Sequence, residues 1–188
     1  MSPLSKTLVF VFALQLALFE PSRPGFAESF TLQSVHENVL QSYPDVRHVT
    51  VGELDNALKD RDRYVIFDVR EEEEYAVSHI DGSIRVKPSI WASSFIKRFG
   101  AEAKGKHVVF YCSVGVRSSK LAEKTQIRLR EMGAKSVHNL EGGIFSWHNQ
   151  EKGLKNAGGR TEFVHPYDQK WGNLVKRKSL HRYLPEKR

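Results

Sequence analysis

Apolar residues along this chain follow two rhythms. Tyr64-Val65-Ile66-Phe67 and Val108-Val109-Phe110-Tyr111 are unbroken runs of β-branched and aromatic residues, as in strands buried on both faces. Elsewhere apolar positions recur at helical spacing, as Leu54, Ala57 and Leu58 and again as Leu121, Ala122, Thr125, Leu129 and Met132. Together these rhythms predict strands at 64–68, 83–86, 107–111 and 136–139. Helices are predicted from Thr50 to about Lys59, at 90–99, 118–132 and 144–150, with a short lead-in helix inside 28–45. Local signals support the boundaries. Thr50 and Glu53 have capping-box spacing, Glu71 to Glu74 suit a helix start, and Gly133 is placed to end the long helix. Strands alternating with helices imply an α/β domain with a mostly parallel sheet covered on both faces, whose reactive groups lie at the carboxyl ends of strands.

The termini differ from this body. Lys6 precedes an apolar stretch from Leu8 to Phe19 broken only by Gln15, and Gly25-Phe26-Ala27 closes a polar, proline-containing piece. That order is expected of a secretory signal peptide over residues 1–27, cleaved after Ala27, and hence of export to a bacterial periplasm. Twelve residues fall short of the roughly twenty a bilayer-spanning helix needs. An uncleaved interfacial anchor and a buried helix are the competing readings. Residues 28–47 then form a lead-in, 48–154 the domain, and 155–188 a basic extension, with Asn156-Ala157-Gly158-Gly159 read as a linker.

The net charge of +7 belongs to the tail, which from Lys152 onward has ten basic and three acidic residues against nineteen of each before it. A neutral body with a basic tail does not make polyanion binding the main activity, and nucleic acid is not an expected partner of an exported protein. Phe163, Tyr167, Trp171 and Tyr183 are interspersed with the tail's basic residues. Either Phe163, Tyr167 and Trp171 pack back on the domain while the charges are solvated, or the tail makes a weak contact with an anionic surface.

The only cysteine, Cys112, follows a predicted strand and opens Cys-Ser-Val-Gly-Val-Arg-Ser ahead of a predicted helix. Amides of such a loop converge on the sulfur and Arg117 adds positive charge, which stabilises a thiolate. Cys112 is therefore the candidate nucleophile. Gly115 permits the tight turn, and Ser118 and Ser119 can cap the helix or donate to an anion. A small buried hydrophobe is the bland alternative, but it gives no reason for these neighbours. With no second thiol in the chain, a sulfur loaded on Cys112 must leave to an external acceptor.

Three segments in order carry a resemblance to the rhodanese family of sulfurtransferases, as a single-domain member. They are Asp68-Val69-Arg70 with Glu74-Tyr75 and His79 to Ser83, the Cys112 loop, and Leu140-Glu141-Gly142-Gly143-Ile144-Phe145-Ser146-Trp147. The resemblance implies a five-stranded rhodanese-like fold in which Cys112 becomes a persulfide. Ser113, Val114, Gly115, Val116, Arg117 and Ser118 would then hold a small anionic sulfur donor such as thiosulfate, and an external thiol or cyanide would accept the sulfur. It implies no cofactor. Asp68, Arg70 and Glu74 would be structural, tying strand to helix, as buried charges need partners in any case. Ser113 stands where many members of the family carry a basic residue. Related phosphatases and arsenate reductases have five residues between Cys and Arg, whereas four lie between Cys112 and Arg117. A non-catalytic rhodanese-like binding module is the other alternative. The eight histidines show no metal-binding spacing, so no metal is expected.

Overall fold

The computed structural model describes residues 30–185, and the predicted leader at 1–27 lies outside the described residues. Five strands, β1 (Arg47–Val49), β2 (Tyr64–Asp68), β3 (Ile84–Arg85), β4 (His107–Tyr111) and β5 (Ser136–Leu140), pair in the order β1-β5-β4-β2-β3. Every pairing is parallel. The helices are α1 (Leu32–Ser42), α2 (Val51–Ala57), α3 (Glu72–Val77), α4 (Ala92–Phe99), α5 (Val116–Glu131), α6 (Gly143–Asn149) and α7 (Gln169–Gly172).

Alternation along the strands sorts the core into two layers. Val108 and Phe110 of β4, and Cys112 just after it, pack with Phe95 and Phe99 of α4 and with Leu121 and Leu129 of α5. Val109 and Tyr111 face Val35 of α1, Val51 and Leu54 of α2, and Ile144, Phe145 and Trp147 of α6. Phe67, Phe95, Phe99 and Phe110 meet at ring separations of 5.0 to 5.6 Å, and each aromatic pair adds about 1 kcal/mol beyond its buried area.

β2 and β4 span the residues their apolar runs predict. Thr50 caps α2 through the expected box with Glu53. Three elements differ. α5 begins at Val116 rather than Ser118, because Gly115 turns the chain at φ +97 and the helix opens directly behind it. β1 has no apolar run to announce it; this short edge strand is held by β5 alone. Residues 156–159 are not a linker, since Asn156 pairs with Gly159 across the turn of a hairpin formed by β6 (Leu154–Asn156) and β7 (Gly159–Thr161).

The tail after that hairpin runs back over the domain. Val164, Leu174 and Val175 join the same core layer as Trp147 and Leu154. Asn149, at the end of α6, fixes the path from both sides: its Nδ2 donates to Leu174 O at 2.8 Å and its Oδ1 accepts the Lys176 N–H at 2.8 Å. The His148 ring bonds Glu162 O at 2.9 Å. Among the described residues no helix is long and apolar enough to cross a membrane.

Candidate active site

Cys112 directly follows β4, at the carboxyl edge of the central strands, and its residue is 1% exposed. The strand end below it is anchored by a buried polar network. Arg70 donates to Asp68 through Nε at 2.8 Å and Nη2 at 2.6 Å, and to Ser78 O at 2.7 Å. Tyr111 Oη donates to Asp68 Oδ2 at 2.6 Å, accepts the Ile80 N–H at 3.1 Å and meets Ser83 Oγ at 3.0 Å. Asp68, Arg70 and Tyr111 are all 0% exposed. Their bonds locate Tyr111, and therefore the residue after it, relative to β2 and the β3 edge.

From Cys112 the chain must turn at once, and α6 forces the direction. The Ile144 N–H donates to Cys112 O at 2.9 Å and the Phe145 N–H to Ser113 O at 3.0 Å. With those carbonyls drawn towards α6, the loop amides are left facing the sulfur. The Gly115 N–H donates to Cys112 Sγ at 3.2 Å. Burial pushes the Cys112 thiol up, but the Arg117 charge, the Ser118 hydroxyl and amide and the Val114 amide outweigh it, and the pKa lies below the ordinary thiol value. The Ser118 hydroxyl is fully buried and has no hydrogen-bonding oxygen or nitrogen partner among the described residues, which leaves it available to the sulfur.

Arg117 is itself braced. Nη1 and Nη2 donate to Glu74 Oε2 and Oε1, each at 2.8 Å, and Nη2 also donates to Ser113 Oγ at 2.9 Å. Ser113 Oγ in turn donates to Glu74 Oε1 at 2.8 Å. Burial opposes the guanidinium charge, yet the hydrogen bond to Glu74 and the nearby Cys112 sulfur raise its pKa above the usual arginine value. Burial likewise works against the Glu74 carboxylate, but Arg117, Arg70 and Ser113 hold its pKa below normal. Glu74 thus ties the Cys112 loop rather than the strand after which it lies. Asp68 and Arg70 have no bond to that loop beyond the one through Tyr111.

Above the loop the structure adds residues that sequence reasoning did not assign to the site. A pocket of about 120 Å³ opens over Cys112, floored by Ser113, Val114, Val116 and Arg117 and walled by Tyr167 and Trp171 of the tail. The Tyr167 ring lies over Arg117, with Cζ 5.0 Å from its centroid. Gly143 is the other omission: its φ is +56, and a Cβ there would collide with Cys112 O and lie 2.7 Å from Ser113 C. The Gly142-Gly143 doublet was its only trace in the sequence. His79 stacks on Tyr75 at 3.8 Å and its backbone bonds Lys155, a place in the scaffold rather than in the pocket. Among the described residues no cluster of three or more His, Cys, Asp or Glu side chains could hold a metal.

Comparison with known proteins identifies the family and the fold. The profile of the rhodanese-like domain matches residues 50–150. The tRNA uridine(34) hydroxylase of Sodalis glossinidius is 29% identical over 135 residues, covering 70% of this chain and 37% of that protein. The tRNA uridine(34) hydroxylase of Pectobacterium carotovorum is 30% identical over 126 residues, 64% of this chain and 33% of that one. The chain therefore spans about a third of the length of these curated relatives. Among solved structures, the thiosulfate sulfurtransferase of Pseudomonas aeruginosa has the same fold, with a TM-score of 0.50 at 19% identity over 79% of this chain and 27% of that one.

Proposed function

Because this chain belongs to the rhodanese-like domain family, we propose that it is a sulfurtransferase that carries a sulfane sulfur as a persulfide on Cys112. The observation that carries this reading is the Gly115 N–H on Cys112 Sγ beside the braced Arg117 guanidinium, a cradle built for negative charge on sulfur. The Cys112 thiolate attacks the outer sulfur of thiosulfate. A new S–S bond forms, the bond to the sulfonate sulfur breaks, and sulfite leaves with the electron pair. An acceptor thiolate or cyanide then attacks the terminal sulfur, and Cys112 leaves as thiolate. The two half-reactions imply ping-pong kinetics.

In both steps charge moves between the inner and outer sulfur. The Gly115, Val114 and Ser118 donors are fixed before the reaction begins, so they stabilise that charge with no reorganisation. The chain is proposed to act after export, on the strength of residues 1–27. Mass measurement of the intact chain after incubation with thiosulfate tests the reading. Gain of one sulfur atom, absent in Cys112→Ser, supports it; a folded protein with a free thiol that gains none refutes it.

The relatives' name supplies a second reading, a part in tRNA modification, and the basic residues after Lys152 would suit a polyanion. Export would separate the chain from cytoplasmic tRNA. Fractionation that finds the protein in the cytoplasm, bound to tRNA in a salt-sensitive way, would favour this second reading.

A further inference from the structure

The tail brings two aromatic side chains to the pocket over Cys112, and both lie beyond the part of the chain that the family profile matches. Tyr167 is held at φ +67, the left-handed region that a bulky residue seldom occupies, while its side chain stays near half exposed at 46%. Such strain persists only where the surroundings impose it. Here the His165 ring accepts the Tyr167 N–H at 3.0 Å, and the segment continues into α7, whose first turn Asp168 caps by accepting the Trp171 N–H at 2.8 Å. The result is a roof: Tyr167 over Arg117, and Trp171 beside it.

Trp171 also faces a second cavity. Behind it lies a groove of about 240 Å³ whose walls include Phe30, Val35, Val39 and Tyr43, and which shares Val116 and Trp171 with the Cys112 pocket. The indole thus borders both spaces, together with Val116. It is fixed on the groove side by the Phe30 ring, which meets it edge-on with centroids 5.1 Å apart. The space in front, about 120 Å³, is smaller than the roughly 150 Å³ cavity that admits one benzene molecule.

We propose that Trp171 is a specificity-determining residue that limits the Cys112 pocket to compact anionic sulfur donors and excludes donors carrying a large apolar group, for which the groove behind the indole would otherwise provide room. The inference rests on the reading of Cys112 as a sulfur carrier and adds the class of donor. An aromatic thiosulfonate transfers its outer sulfur by the same displacement as thiosulfate, with an aryl sulfinate leaving in place of sulfite. It carries one negative charge where thiosulfate carries two and has a different leaving group, but both differences are the same for every variant, so a change in the ratio between variants reports the bulk that must be seated.

The test compares the full chain with Trp171→Ala, Trp171→Phe and the exposed-site control Trp91→Ala, measuring sulfur loading from thiosulfate and from a naphthalene thiosulfonate by intact mass. In parallel, the rates of Cys112 alkylation by iodoacetamide and by a pyrenyl maleimide are measured, which report access alone. Trp171→Ala is expected to raise the bulky-to-small ratio about tenfold or more in both assays, with Trp171→Phe intermediate and Trp91→Ala unchanged. Ratios that stay constant across the variants would overturn the proposal. If no variant and no wild-type chain loads sulfur, the sulfurtransferase reading fails instead, and the alkylation ratio still decides whether the indole is the barrier.

Discussion

Glu74 and Arg117 are 43 positions apart and meet through two parallel 2.8 Å hydrogen bonds, so the guanidinium stands beside Cys112 as a fixed charge. The carboxylate is 3% exposed and the guanidinium side chain 25%. Glu74→Ala strands that charge against Ser113, and loss of one member of such a pair costs about 3 kcal/mol. Urea unfolding should show a lowered midpoint with an unchanged slope, and Glu74→Gln should recover part of it. An Ala variant as stable as the wild type would mean the pair adds nothing.

A thiol whose pKa lies below the ordinary range should react early in a pH titration. The rate of Cys112 alkylation by iodoacetamide is expected to rise with pH and to level off at a lower pH than for an ordinary free cysteine. Arg117→Leu removes the leading influence that opposes burial, and its profile should move to higher pH. Superimposable profiles would remove Arg117 from the account of the thiolate.

Gly143 and Gly105 both have positive φ, at +56 and +74, but only Gly143 lacks space for a side chain. Gly105→Ala should cost only the left-handed penalty, about 1 kcal/mol. Gly143→Ala must in addition displace the Cys112 and Ser113 carbonyls, which shifts the loop amides that face the sulfur. Alkylation at fixed pH should slow markedly in Gly143→Ala and remain near wild type in Gly105→Ala. Equal behaviour of the two variants would show that the close approach is not required.

His48 is half-buried against His36 and Asn139, and burial, then the charges of His36 and His138, lower its pKa from 6.5 to about 4. Between those values the unfolded chain binds the proton and the folded one does not. The contribution of His48 to stability is therefore complete above pH 6.5, declines as pH falls and levels off below about 4. Half-buried His138 and buried His148 and His165 are shifted in the same direction. His48→Gln should lose less stability than the wild type between pH 7 and pH 5, measured as urea midpoints. A variant with the same pH slope would exclude His48 as a contributor.

The parts of the fold that sequence reveals are those whose physics is local. β2 and β4 are buried on both faces, so their apolar runs start and stop where the strands do, and Thr50 with Glu53 closes a box within one turn. Cys112 and Arg117 were legible because a strand, a glycine turn and a helix follow one another directly. What stayed hidden depends on distant contacts. β1 exists through its pairing with β5, and Glu74 meets Arg117 only once α3 and α5 are both in place. The position of Tyr167 and Trp171 over the pocket depends on Asn149, Val164 and Leu174 docking the tail, and a basic composition says nothing of that.

The docked tail also sets how short this protein can be made. Val164, Leu174 and Val175 fill core positions against Trp147 and Leu154, so a chain trimmed to the family segment would expose the outer side of α6 to water. α6 is the helix whose amides aim the Cys112 loop. Proteases that spare the folded chain should therefore leave one resistant fragment reaching past residue 175, and its smallest independently folding unit includes the segment that at first sight is an appendage.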